Sequence, residues 1–180
     1  MLFRSLSALL GEIDYAPAVV AVVSLPVSSL TVPLRGFGFL APRSEGLTVL
    51  GAIFSSLLFS NRAPDDRILL TCFLGGALKP EVYDWPEGRI WDAVCNELQR
   101  VLATSAPPEP LGVFRHRRAI PQYNLGQKQR VDAIAAELNR IPGLFVTGNF
   151  LHGVSLPASI EHGDTTAAAV AKYVGARSEE

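Results

Sequence analysis

Apolar positions along the chain follow two rhythms, one suited to strands and one to helices. Val19 to Leu25 is a short β-branched run closed by Pro26, which predicts a buried strand. Gly36 to Ala41 predicts a second strand, followed by the turn-forming Pro42-Arg43-Ser44-Glu45-Gly46. Thr48 to Phe54 and Ile68 to Leu74 predict a third and a fourth, separated by the polar, proline-bearing loop Ser60 to Asp66. Short connections of this kind join antiparallel neighbours, because parallel pairs need a long crossover.

The period changes after Trp85-Pro86-Glu87-Gly88. Ile90, Trp91, Val94, Leu98, Val101 and Leu102 recur at spacings of three and four, so they predict an amphipathic helix packed on the sheet. Ala106-Pro107-Pro108-Glu109-Pro110 ends it, since proline lacks the N–H donor and clashes with the preceding turn. A connecting loop leads into Val113 to His116. A second helix is predicted over Gly126 to Arg140, with Val131, Ile134, Ala135 and Leu138 on one stripe and Pro142-Gly143 as its stop. A strand at Leu144 to Thr147, a loop from Gly148 to Leu156 and a last helix from about Pro157 to Val174 complete the chain. The fold class is α/β (α+β), with a mixed sheet and about three substantial helices.

Composition sharpens this picture at a few points. At 180 residues one folding unit is the first expectation, and with 48% apolar and 18% charged residues the chain is too hydrophobic to be a disordered tail. The formal net charge of −1 provides no global attraction for nucleic acid or anionic lipid. Cys72 lies inside an apolar run, where a buried, inert thiol is expected. Met1 to Leu10 carries one early cation and runs at once into Gly11-Glu12-Ile13-Asp14, unlike a signal peptide. Ala16 to Leu34 is the most apolar stretch, but Pro17, Pro26 and Pro33 interrupt it, so no transmembrane helix is expected.

The informative chemistry lies in Gly148-Asn149-Phe150-Leu151-His152-Gly153-Val154-Ser155-Leu156-Pro157. A glycine-bracketed loop enters a helix whose early proline is preorganised for the first turn. The first four N–H groups of a helix have no internal partner and the helix dipole adds positive charge, so the start of this helix is a candidate anion site. The plain alternative is that such a unit only turns the chain.

Those residues, with Ile160-Glu161 and Gly163 beyond, resemble the C-terminal flavin motif of the protoporphyrinogen/coproporphyrinogen oxidase family, within the flavin amine oxidase superfamily. Four further stretches resemble the family in order and spacing. They are Gly36-Phe37-Gly38-Phe39-Leu40 with Pro42 and Glu45; Gly51 to Ser56 with Phe59 and Arg62-Ala63-Pro64; Gly75-Gly76; and Ala119-Ile120-Pro121-Gln122-Tyr123. The resemblance implies FAD as cofactor and oxidation of a porphyrinogen to a porphyrin in haem biosynthesis, with dioxygen reoxidising the flavin. It places Gly148 and Asn149 by the ribityl–pyrophosphate portion and Val154, Ser155 and Leu156 at the isoalloxazine edge, with Gly153 also cofactor-binding. Residues 1–112 would belong to the substrate-binding domain, and 113–180 would be the C-terminal return to a Rossmann-like FAD-binding domain. A Gly-x-Gly-x-x-Gly turn after a strand is absent from the sequence, so the N-terminal FAD-binding region would have to come from elsewhere. A cytoplasmic location is expected; the family's hydrophobic substrates are compatible with peripheral contact with the inner face of a membrane, and apolar surface left exposed by an isolated chain is compatible with association into a homo-oligomer.

The chain departs from the family pattern at His116, where tryptophan is usual, at Gln127, where histidine is usual, and at Ser159, where cysteine is common. His116, His152 and His162 lack metal-ligand spacing, and no catalytic residue can be named. Arg115, Arg117 and Arg118 could attract the substrate's propionates, although a solvated strip is the plainer reading. Trp85 and Trp91 could line a macrocycle pocket or pack in the core. Gln122 and Tyr123 could bracket the flavin or substrate, or bond to backbone. Two other functions are compatible with the residues: a related flavin oxidoreductase acting on an amine or a carotenoid precursor, and a non-catalytic interaction module.

Overall fold

The computed structural model of the protein describes residues 3–178. The chain divides into two compact units, one of Ala16–Ala119 and one of Met1–Tyr15 with Ile120–Glu180. Five strands carry the first unit: β1 (Tyr15–Pro26), β2 (Gly38–Leu40), β3 (Val49–Ile53), β4 (Arg67–Gly75) and β5 (Glu109–Pro121). The helices are α1 (Arg4–Gly11), α2 (Ser55–Leu58), α3 (Glu87–Leu102), α4 (Gln127–Asn139) and α5 (Leu156–Ser178).

The strands form one sheet in the order β2-β3-β4-β1-β5. Val19, Ala21, Val23 and Leu25 of β1 stand opposite Leu74, Cys72, Leu70 and Ile68 of antiparallel β4. Because side chains alternate along a strand, all eight share one face, and all are buried. Ile90, Val94 and Leu98 of α3 complete the same core, as the sequence period requires. Full burial of each such aliphatic side chain contributes about 1.5–3 kcal/mol, which makes this layer the main source of the unit's stability. Glu97 of α3 caps the start of β3 by accepting the N–H groups of Thr48 and Val49, each at 2.8 Å.

Two glycines are fixed by the close approach of β2 to β3. A Cβ on Gly38 would lie 2.0 Å from the Ala52 carbonyl oxygen, and one on Gly51 would lie 2.5 Å from that of Phe39. The serines that follow tie α2 to β4: Ser55 Oγ and Thr71 Oγ1 are 2.8 Å apart, and Ser56 Oγ accepts the Leu69 N–H at 3.0 Å.

The second unit has its own core of Leu6, Ile13, Ile134 and Ile141. Here α1, which no apolar rhythm in the sequence announces, packs on α4. Phe145 and Tyr173 of α5 meet edge to face, with ring centroids 5.8 Å apart.

Several expectations are corrected by the structure. The β1–β4, β2–β3 and β3–β4 ladders are antiparallel, so the sheet is not mixed although the α/β class holds. Leu144 to Thr147 forms no strand, because a strand exists only with a ladder partner and none pairs with it among the described residues. Glu109 to Pro121, expected to begin as a loop, is instead the longest strand. Its prolines fit that role because they stand at its two ends, Pro110 and Pro121, and β5 is an edge strand, where one side of the backbone has no ladder partner. Val101, expected on the buried stripe of α3, is exposed.

Candidate functional site

The stretch Gly148 to Leu156 lies wholly in the second unit and is shaped by its glycines. Gly148 has φ +155° and Gly153 has φ +98°, both in the region that side chains other than glycine rarely adopt. Space is also closed at both: a Cβ on Gly148 would meet the Phe150 ring at 2.5 Å, and one on Gly153 would meet the Ala158 methyl at 3.0 Å. Ser155 then caps α5. Its Oγ accepts the N–H of Ala158 at 3.2 Å and its carbonyl accepts that of Ser159 at 3.0 Å. Pro157 follows inside the first turn. Val154 and Leu156 point outward, and Leu156 is 75% exposed in spite of being apolar.

Two side chains hold this turn from outside. The Tyr123 hydroxyl donates to the Asn149 carbonyl at 2.6 Å and accepts the N–H of Gly153. Gln127 Nε2 donates to the Phe150 carbonyl at 2.8 Å. Tyr123 thus bonds to backbone, the second of the two roles its sequence position suggested. Gln122 bonds to backbone as well, away from the turn: its Nε2 donates to the Ile120 carbonyl and its N–H to the Asp14 carbonyl. His152 and His162 stack with centroids 4.5 Å apart. No group of three or more His, Cys, Asp or Glu fit to hold a metal occurs among the described residues. An apolar cavity of this unit, about 500 Å³ and lined by Leu138, Ile141, Leu144, Val146 and Tyr173, contains none of residues 148–156.

In the first unit the face of the sheet opposite the core is apolar and uncovered in part. Val20 and Val22 of β1 and Leu69 and Phe73 of β4 are half-buried there. Leu40 and Phe114 are more open, at 87% and 55%. Phe114 falls on this face because its neighbour Val113 packs against the core.

The arginine strip is only partly solvated. Arg115 donates to the backbone carbonyls of Tyr83 and Trp85, the latter at 2.7 Å. Arg117 lies over the Tyr83 ring at 4.5 Å and 3.8 Å from Asp84. Trp85 packs against the core and carries Arg89 over its ring at 3.6 Å. Trp91 also packs against the core, with its Nε1–H donated to Glu87 at 3.2 Å. These contacts give Arg115, Trp85 and Trp91 structural roles.

With this geometry in view, residues 2–171 match the model of the flavin containing amine oxidoreductases. The chain belongs to that family. A protoporphyrinogen oxidase 2, chloroplastic/mitochondrial, from Arabidopsis thaliana is 33% identical over 168 residues, covering 92% of this chain and 33% of that protein. A coproporphyrinogen III oxidase from Bacillus subtilis is 27% identical over 153 residues, covering 84% of this chain and 33% of that one. Among solved structures, a protein from Exiguobacterium sp. 255-15 designated a protoporphyrinogen oxidase superposes with a TM-score of 0.69 at 19% identity, covering 95% of this chain and 36% of that chain. The chain therefore has the fold of this part of a flavin amine oxidoreductase, and it spans about a third of the length of the curated relatives it matches. FAD is the cofactor that membership of this family implies. Among the described residues no helix is long and apolar enough to cross a membrane.

Proposed function

We propose that this chain contributes to FAD-dependent oxidation of a porphyrinogen to a porphyrin in haem biosynthesis, supplying a flavin-edge turn and part of a substrate-binding sheet. The observation that carries the reading is the turn from Gly148 to Leu156. Side chains are excluded from it at both glycines, and it leads into a serine-capped helix of 23 residues. Such a turn fits a flavin through the helix it leads into: the start of α5 provides positive potential for an electron-rich ring edge. Gly148 and Asn149 would hold the ribityl–pyrophosphate portion. Gly153, Val154, Ser155 and Leu156 would face the isoalloxazine edge, with the exposed Val154 and Leu156 side chains covering it from water.

When bound, the flavin supplies the hydride-accepting chemistry, and dioxygen is the final acceptor in this reading. The residues of the chain bind and orient. The α5 N-terminus stabilises negative charge gathering at the ring edge, and the apolar face that includes Val20, Val22, Phe73 and Phe114 suits a hydrophobic macrocycle. Relatives named for both proto- and coproporphyrinogen oxidation support the substrate class. The ADP portion of FAD would rely on a phosphate-binding turn supplied outside these residues, because no Gly-x-Gly-x-x-Gly occurs in the sequence. Residues 1–112 and 113–180 would then serve the substrate-binding and FAD-binding domains of the complete enzyme.

The test is a titration of the purified chain with FAD, followed by flavin fluorescence and visible absorption. Saturable quenching with perturbed flavin bands is the expected result, and an unperturbed flavin at every protein concentration would overturn flavin binding by this chain.

A further inference from the structure

The pair of side chains that grips the flavin-edge turn has a consequence for what decides its shape. Tyr123 has one hydroxyl proton and two lone pairs, and the structure uses the proton on the Asn149 carbonyl and a lone pair on the Gly153 N–H. One atom thereby sets the distance between the two ends of the Asn149-to-Gly153 loop. Gln127, in the first turn of α4, takes the carbonyl between them, that of Phe150. The orientation of its amide is itself fixed, because Oε1 accepts from Arg130 Nη1 at 3.1 Å and leaves Nε2 to face Phe150. Within itself the loop makes one backbone bond, from the Leu151 N–H to the Gly148 carbonyl at 3.1 Å, and His152 at its tip is exposed.

We propose that Tyr123 and Gln127 are positioning residues, a two-point clamp that fixes the direction in which Gly153, Val154, Ser155 and Leu156 present their backbone. Their side-chain hydrogen bonds run to the loop backbone, so any effect on the flavin would pass through the loop. The assignment rests on the flavin reading above for its functional consequence, while the clamp itself is a property of the chain without ligand. Gln127 adds one feature: an amide donates to Phe150 at any pH, whereas an imidazole at the same position would donate through one N–H when neutral and two when charged.

The experiment uses the full chain and two readouts. Amide hydrogen exchange at Gly153 and Leu151 is followed by NMR, and FAD affinity is followed by fluorescence. Tyr123→Phe keeps the ring and removes both bonds of the hydroxyl. A net hydrogen bond corresponds to a factor of about 2–10 in an equilibrium, so Gly153 exchange is expected to rise by about that factor while exchange at core Ile134 stays unchanged. FAD affinity is expected to fall by a similar factor. Gln127→Leu is expected to loosen the loop, and Gln127→His to restore it at pH 8, which a merely space-filling role would not show. Unchanged Gly153 exchange in Tyr123→Phe would overturn the clamp, whatever the flavin result. Should Tyr123→Phe also speed exchange at Ile134, the Gln127 pair decides: equal exchange in the Leu and His variants overturns the proposal. If the parent chain binds no FAD yet the variants loosen the loop as stated, the flavin reading fails for this chain and the clamp stands.

Discussion

Cys72 shows how far the identity of one residue reaches. Its apolar neighbours in sequence indicate burial, and the fold places it at the centre of the β1–β4 ladder, opposite Ala21. Burial, with a smaller contribution from nearby Cys95, pushes its thiol up from 9.0 to about 12. Burial and then Asp92 raise Cys95 as well. A thiol raised in the folded state stabilises the fold fully below its unfolded value, and that contribution is lost as pH rises through the folded value. For Cys72 the window is therefore from about pH 9 to 12. At pH 8 Cys72 should be inert to Ellman's reagent in the native chain, and it should react only once guanidinium unfolds the protein. Immediate reaction of two thiols in native buffer would contradict the burial described. Gly148 and Gly153 teach the same lesson from the other side. Their presence was legible as a pattern, but the Phe150 ring and the Ala158 methyl that close the space around them became visible only in three dimensions.

At the scale of the element, α5 depends on its cap. Ser155 Oγ takes one of the first-turn N–H groups, and replacing it by alanine should destabilise the start of the helix by about 1 kcal/mol. Faster amide exchange confined to residues 156–160 is the expected observation. The α1–α4 pair offers a contrast in electrostatics. The Ser5 hydroxyl donates to Glu137, and this bond, with help from Arg140, holds the Glu137 carboxyl below its usual range. A lowered carboxylate favours the fold above its unfolded value and loses that contribution as pH falls through the folded value, so it matters only on the acid side. Ser5 is open to solvent and Glu137 is half-buried, so water screens the bond in part. Elements also define where the sequence reading failed. Leu144 to Thr147 has the composition of a strand yet finds no ladder among the described residues, whereas Glu109 to Pro121, broken by prolines, pairs along the edge beside β1.

At the scale of the whole molecule, two separate cores predict two separable responses to truncation. Leu70→Ala removes a fully buried side chain of the first unit, and Ile134→Ala one from the second. Each should cost about 2–5 kcal/mol locally. Chemical denaturation followed by amide exchange should show the protection of β4 falling in the first variant and that of α4 in the second. Loss of protection in both units from either change would mean that they unfold as one.

What the sequence determined by itself was local and periodic. The run from Val19 to Leu25, the stripe of Ile90, Val94 and Leu98, and the glycine-bracketed entry to α5 each depend on neighbours a few residues away, so spacing alone reveals them. The family resemblance was legible for a related reason, since its glycines sit where backbone approaches backbone, as Gly38 and Gly51 do, and its serines tie neighbouring elements by side-chain bonds, as Ser55 and Ser56 do. Tertiary structure decided the rest. The pairing of α1 with α4, the capture of Arg115 by the carbonyls of Tyr83 and Trp85, and the grip of Tyr123 and Gln127 on residues 149–153 join positions up to 132 residues apart. A hydrogen bond depends on distance in space, and no rhythm of apolar positions encodes which distant carbonyl a side chain will meet.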